Sequence, residues 1–396
     1  MSQPFYANAA STLSEERRMV LDQADRFARA ELGPRLARMD DEEWWPPELF
    51  PMLGAQGLIG VTAPENLGGA GLDFFAQGLV AQAFARHNAG AGMSVLAHDN
   101  LCLNNILRNA SPELQARYVP DLCSGRRVGA LALTEPGAGS DALGSMCTTA
   151  RREGDHFVLN GSKMFITNGP IADVLLVYAK TSPEKGAHGI TAFVVEKGFE
   201  GFSVAQKLTK MGLRGSPTGE LLFQDCRVPA ANLVGEEDGG VAVTMSGLDI
   251  ERCAMAFTCL GMAERSLELS LDHARQRRQF GQVIGQFQMV QQMLADMYAA
   301  IEGLRAFTYR VAEDLNELER GAGGRGEVHK QAAALALQAG RVVTQCADLA
   351  VQIHGGSGFI WDTEINRIYR GAKLWEIGAG TNEMRRMIIA RELLRS

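Results

Sequence analysis

The sequence predicts an α+β fold in which a small antiparallel β domain stands between two helical ones. Two changes of texture predict it. From Ser14 to about Arg126 the apolar residues recur at helical spacing, and after about Gly240 that spacing returns and persists to the C-terminus. Between them, from near Gly129, come short runs rich in β-branched and aromatic residues, HFVL, MFIT, DVLLVYA, ITAFVVE and ELLF. Helices, then strands, then helices argue for segregated layers rather than alternating βαβ units. The expected boundaries are 1–128, 129–239 and 240–396.

Each part has its own local signals. Ser14 opens SEERRMVLDQADRFARAEL as an N-cap, with Glu15 and Glu16 in the first turn. PENLGGAGLD punctuates the apolar runs that follow. Asn160-Gly161, between two strand-like runs, predicts a hairpin turn, because that turn type needs positive φ at both central positions. GQFQMVQQMLADMYAAIEGLRAFTYRVAEDLNELERG reads as one long amphipathic helix, and GAGGRG (321–326) as the loop after it. Glu327 to His354 is rich in Ala and Val, so a well-buried helix is predicted there.

Composition excludes several classes. The chain has 396 residues, 46% of them hydrophobic and 21% charged, enough for roughly two to three domains with substantial cores. A net charge of −7 without a long basic block argues against nucleic acid as a partner. No apolar run approaches the roughly 20 residues that span a bilayer, so no membrane insertion is expected. The first residues show no basic-then-apolar secretory pattern. Seven scattered cysteines without a C-x-x-C pair predict reduced, mostly buried thiols in a cytoplasmic protein. Seven histidines without metal spacing predict no metal site.

Four glycine-rich stretches invite comparison with phosphate-binding loops: GGAGLD (68–73), EPGAGSD (135–141), GGSGF (355–359) and GAGT (378–381). None completes G-x-G-x-x-G or G-x-x-x-x-G-K-[ST], and none follows a strand and opens a helix. Each reads singly as a loop or tight turn. G-x-S-x-G is missing too, which removes the usual hydrolase elbow.

Glu251 stands out in SGLDIERCAMA (246–256). On a helix its neighbours three and four residues away are Gly247, Leu248, Ala254 and Met255, a stripe that normally faces a core. Asp249 and Arg252, three apart, can pair on another face. An ionisable group therefore stands where Leu is expected.

ALTEPGAGSDALG (132–144) and QIHGGSGFIWDTEINRIYRGAK (352–373) resemble the two signatures of the acyl-CoA dehydrogenases. KMFITNG (163–169) and RRQFG (277–281) resemble two further landmarks, in the same order along the chain. AHDNLCLNNILRN, MSGLDIERC and WEIGAGTNEMRR are most similar to the isovaleryl-CoA dehydrogenase type. The resemblance implies an N-terminal helical domain, a central β domain and a C-terminal helical bundle, assembled as a homotetramer. It also implies FAD as cofactor, an acyl-CoA thioester as substrate and electron-transferring flavoprotein as electron acceptor.

The family's reaction, by the same resemblance, is Cα–Cβ desaturation. A carboxylate removes the α-proton while hydride leaves Cβ for N5 of the flavin. Most members supply that Glu just before the Gly-Thr of the C-terminal loop, where this chain has Ala379. The isovaleryl type supplies it from a helix, where this chain has Glu251. A carboxylate in an apolar stripe has a raised pKa, which suits a base acting on a weakly acidic C–H. The resemblance gives the Ala379 N–H, together with a ribityl hydroxyl, to the thioester carbonyl. Glu376 ranks behind Glu251, because the isovaleryl type carries Glu there beside its helix base.

Motif by motif, the resemblance places Leu131, Leu133, Thr134, Gly139 and Ser140 around the flavin, with Phe165 and Thr167 where many relatives have W-I-T. Arg277, Gln279, Phe280 and Gln288, with Gln352, Gly355 and Gly356 of another protomer, take the adenine and pyrophosphate end. Thr381 and Glu383 complete the cofactor set. Ser140, Asp249, Arg252, Gly378, Ala379 and Gly380 border the substrate, and Gly378 opens space for a branched acyl chain. Read singly, each is an ordinary cap, turn or surface side chain; their joint spacing carries the assignment.

Departures from the pattern widen the substrate range. Gly371 replaces the usual Asp, Ala242 stands where the isovaleryl type has Tyr, and Ala187-His188 replace Ser-Arg. A longer branched thioester of citronellyl type therefore stands beside isovaleryl-CoA. Two other readings keep the fold: an oxygen-using acyl-CoA oxidase or related flavin oxidase, and a non-catalytic scaffold.

Overall fold

Ser14 caps the first helix as expected. In the computed structural model, which describes residues 13–317 and 325–395, its Oγ accepts the Arg17 N–H at 3.3 Å and α1 runs Glu15–Phe27. Then follow α2 (Leu36–Asp41), α3 (Leu49–Ala55), α4 (Phe74–Leu96), α5 (Asn104–Asn109) and α6 (Pro112–Cys123). A π-helical turn, Ala97–Leu103, joins α4 to α5.

Eight strands come next: β1 (Gly129–Ala132), β2 (Thr149–Glu153), β3 (His156–Thr167), β4 (Val174–Lys180), β5 (Ile190–Glu196), β6 (Phe202–Lys207), β7 (Thr218–Pro229) and β8 (Leu233–Val234). They form one sheet in the order β6-β7-β3-β2-β4-β5-β8, with β1 attached to β4. The expectation of a purely antiparallel sheet needs correction. β1 pairs parallel to β4 from Gly129↔Val174 to Ala132↔Val177, and Thr149 of β2 also meets Lys180 of β4 in parallel. Strand direction depends on where the chain re-enters the sheet, which strand-forming residues do not encode.

The hairpin expected at Asn160-Gly161 is not there. The β2–β3 turn lies at Gly154-Asp155, while Asn160-Gly161 falls inside β3 at a register shift against β7. Gly161 adopts φ 149°, and a Cβ there would come within 2.5 Å of the Thr148 hydroxyl. Asn160 donates to Asp225 Oδ1 at 3.0 Å and accepts the Asp225 N–H at 2.9 Å. The dipeptide makes a bulge instead of a turn.

The C-terminal part contains α7 (Gly240–Gln276), the small pair β9 (Arg278–Gln279) and β10 (Gln282–Val283), then α8 (Gln288–Asn316), α9 (Gly326–His354), α10 (Gly356–Phe359), α11 (Glu364–Ala372) and α12 (Asn382–Arg395). The loop expected at 321–326 lies mostly outside the described residues, as do residues 1–12 of the N-terminal reading.

Two packed faces position the site. On β4, Val174, Leu176 and Tyr178 turn toward α5 and α6, while Leu175, Val177 and Ala179 turn toward Phe157, Phe193 and Phe223 on the other face. Along α7, Met255, Phe257, Leu260 and Met262 are buried in the helical core with residues of α4, α8 and α9. Gly261 lets α4 approach closely: a Cβ there would lie 2.1 Å from the Gln82 carbonyl.

Among the described residues no helix is long and apolar enough to cross a membrane, and no group of three or more His, Cys, Asp or Glu could hold a metal ion. All seven cysteines are free; six are buried and Cys147 is exposed.

Candidate active site

Glu251 lies in the first half of α7, on the stripe with buried Ala254 and Met255 and half-buried Gly247 and Leu248. Its own side chain keeps some surface, yet protein surrounds it closely enough to dominate its ionisation. Burial pushes its carboxyl up to about 7, against the opposing charges of Arg252 and Arg385. Tyr178 of β4 is fully buried, and burial raises its phenol, with the charge of Glu251 adding to the effect. β4 is therefore within electrostatic reach of the carboxylate.

Arg385 holds the C-terminal loop against α7. Fully buried, it donates from Nη1 to the carbonyls of Trp375 (2.8 Å) and Ala336 (3.2 Å) and to Asn382 Oδ1 (3.0 Å). Its Nη2 donates to the Gly378 carbonyl at 2.6 Å and meets Met255 Sδ at 3.3 Å. Met255 is one turn beyond Glu251, so a single guanidinium ties residues 375–382 beside it. Ala379 takes φ 54°, an uncommon conformation for a residue with a Cβ. Among the described residues its N–H has no hydrogen-bond acceptor.

The neighbours in this loop divide in role. Gly378 lacks a positive φ, and a Cβ there would meet nothing nearer than 3.4 Å, so its bareness is not a backbone requirement. Gly380 has φ 89°. Thr381 Oγ1 accepts the Met384 N–H at 3.4 Å and caps α12, while exposed Glu383 pairs with Arg386 at 3.2 Å. Glu376 is already paired with Lys373 at 2.5 Å.

A buried ion pair locks the strand-end segments together. Lys163 of β3 has a fully buried side chain, and its Nζ donates to Glu135 at 2.8 Å and to the Leu133 carbonyl at 3.1 Å. Glu135 also accepts the N–H groups of Cys147 (2.6 Å) and Thr148 (2.9 Å). Burial opposes ionisation of both partners. Lys163 falls to about 8, whereas Glu135, with more donors around it, stays below its ordinary value. Three donors converge on the Glu135 carboxylate and keep it ionised beside the lysine. The Met164 N–H reaches the Thr134 carbonyl at 2.8 Å. Half-buried Leu131, Leu133, Thr134 and Thr167 are thereby gathered beside Phe165, which is 65% exposed at φ 62°. Gly139 and Ser140 lie exposed in the loop beyond.

The other expected residues are elsewhere. Arg277, Gln279, Phe280, Gln288, Gln352, Gly355 and Gly356 are all exposed, at the far ends of α7 and α9. There His273 and His354 stack with centroids 4.5 Å apart. Arg277 follows the last turn of α7, about 39 Å from Glu251 at 1.5 Å per residue. One chain does not bring the two groups together. Asp249 and Arg252 do pair, at 3.2 Å, but both are buried against α9, so the pair is not the weak surface contact that i,i+3 spacing suggests. Of the departures, Gly371 is explained by packing: a Cβ would lie 2.7 Å from Leu213. Ala242 and His188 are exposed and Ala187 half-buried.

A raised carboxylate, an unpaired N–H and an aromatic-faced cradle form the arrangement to be matched. Family models for the acyl-CoA dehydrogenase N-terminal, middle and C-terminal domains match residues 14–126, 130–226 and 238–394. The chain belongs to the acyl-CoA dehydrogenase family. It is 42% identical to the mitochondrial isovaleryl-CoA dehydrogenase of Oryza sativa subsp. japonica, over 100% of this chain and 95% of that protein. Its fold superimposes on butyryl-CoA dehydrogenase from Megasphaera elsdenii with a TM-score of 0.92, at 36% identity, covering 97% of this chain and 99% of that one. A chain solved in work on the electron transferring flavoprotein of Acidaminococcus fermentans superimposes at 0.93, with 38% identity and coverages of 97% and 99%.

This acyl-CoA dehydrogenase is an oxidoreductase, and FAD is its cofactor. The cradle fits that group: Phe165 offers an uncovered aromatic face, and Thr134 and Thr167 put short polar side chains at its edge. Sequence reading did not single out Glu135, Lys163 or Arg385 in this dehydrogenase. An acid inside an exposed glycine loop and a Lys at an inward strand position were available signals for the first two; nothing in TNEMRR marks Arg385 as buried.

Proposed function

We propose that this dehydrogenase desaturates a branched-chain acyl-CoA, with Glu251 as the base that removes the α-proton. The observation that carries the reading is the Glu251 carboxyl, raised by burial beside a loop whose Ala379 N–H has no acceptor. A thioester carbonyl at that N–H would have its developing negative charge stabilised as the α-proton leaves. Ala379 is held in place by the Arg385 bonds on either side of it. Thr134, Phe165 and Thr167 would hold the flavin, and the loop through Ser140 its outer edge. Bound FAD supplies the acceptor for the hydride lost from Cβ. Gly378, bare without backbone need, leaves room for a branch, which favours isovaleryl-CoA or a longer branched thioester.

The separation between Glu251 and Arg277 supports a site shared between copies, as in a homotetramer. Phe280, Met289 and Phe359, all largely exposed, offer apolar surface for such contacts. Electron-transferring flavoprotein is the acceptor this reading implies.

Anaerobic mixing with isovaleryl-CoA, a longer branched acyl-CoA and a straight-chain acyl-CoA tests the reading through loss of flavin absorbance. Faster bleaching by a branched thioester supports it, and preference for the straight chain overturns the substrate class. Peroxide formation in air, outrunning dye reduction, would identify an oxidase instead. A purified protein without flavin would identify a scaffold. The bleaching rate should rise with pH around a midpoint near 7, where Glu251 loses its proton; a flat profile from pH 5 to 9 would remove Glu251 from the proton transfer.

A further inference from the structure

His329 is a buried histidine in the first turns of α9, facing the segment of α7 that carries Glu251. Its Nδ1 lies 2.7 Å from Asp249 Oδ1, the same oxygen that receives Arg252 Nη1 at 3.2 Å. Asp249 and Arg252 flank Glu251 in sequence, so this contact reaches the proposed base from a second helix. The ring nitrogen and Arg252 Nη1 are 3.4 Å apart and converge on one carboxylate oxygen. Both are therefore donors, and the ring hydrogen is on Nδ1.

Arg252 has a second feature. Its side chain is only 4% exposed, and its Nε has no hydrogen-bond partner among the described residues. A buried donor left open is unfavourable unless a ligand can satisfy it. Arg252 is also the first of the charges that oppose the effect of burial on Glu251. Where this guanidinium sits therefore matters to the base, and two groups on one oxygen fix it.

We propose that His329 is a positioning residue: through Asp249 it holds Arg252 beside Glu251. The proposal rests on Glu251 being the base. It adds a contact from α9 that the reaction itself does not require.

Asn and Gln in place of His329 separate positioning from packing. The Asn amide nitrogen falls near the place of Nδ1, whereas the longer Gln puts its amide near Nε2. Holoenzyme carrying His329→Asn should bleach within about threefold of wild type at saturating isovaleryl-CoA, and His329→Gln should be slowed about tenfold or more. Binding of 2,2-dimethylpropanoyl-CoA, which has no α-hydrogen, should change less than about twofold in both by calorimetry. A packing role predicts the opposite order, since Gln better matches the volume of His, and that order or equal rates would overturn the proposal. Glu251→Gln run alongside keeps the two readings apart. Bleaching that survives there refutes the base, whereas its loss, with equal Asn and Gln rates, refutes only the role of His329.

Discussion

Glu251→Gln should slow anaerobic flavin bleaching by about three orders of magnitude, the scale of a positioned general base, and still leave FAD bound. The same change should make the protein more stable in mild alkali. In the unfolded chain this carboxyl ionises at its ordinary 4.5, whereas in the folded protein burial delays ionisation to about 7. Between those values the unfolded state releases its proton first, so stability falls as pH rises and the loss is complete above 7. The two values correspond to at most about 3 kcal/mol, less in practice because the side chain keeps some surface. Glutamine carries no charge and escapes this penalty. Denaturant melts of wild type and variant at pH 5 and pH 8 should show the variant gaining relative stability at the higher pH. Equal differences at both would mean that the carboxyl titrates normally, and the base would have to be sought elsewhere.

Lys163→Met should release the flavin. The substitution preserves much of the side-chain volume but leaves Glu135 buried without its cation, a change that typically destabilises by about 3–5 kcal/mol. Relief of that charge by movement of residues 133–135 would carry Leu133 and Thr134 away from Phe165. Purified variant is therefore expected to hold little FAD per chain and to melt well below wild type. Adding Glu135→Gln should recover most of the stability, because the uncompensated charge is then gone. A single variant that stays fully yellow and melts like wild type would show that the pair does not shape the cradle.

What could be read from the sequence was what local chemistry decides. Ser14 caps α1 because a hydroxyl before an acidic first turn has few better uses, and the Ala-rich stretch after Glu327 is buried because little else can pack so closely. Glu251 was legible through a conflict, a carboxylate in an apolar stripe, sharpened by Ala379 in the slot where relatives keep their acid. Contacts between distant segments were not legible. Asn160-Gly161 has every local mark of a turn, yet Asp225, far along the chain, draws it into a bulge. Arg385 sits among polar residues that look solvated, and only the convergence of three carbonyls shows why it is buried. Asp249 and Arg252 were expected to pair, but only α9 arriving with His329 turns a surface contact into an interior one.

The length of α7 has a genetic consequence. If Glu251 and Arg277 serve different active centres, as their distance along the helix implies, two dead alleles need not make a dead mixture. A hybrid of one chain lacking Glu251 and one lacking Arg277 concentrates both lesions in one centre and leaves the other intact. Co-expressed, two inactive variants should thus complement each other to about half of normal turnover per hybrid pair, whereas two variants damaged at the same end should not.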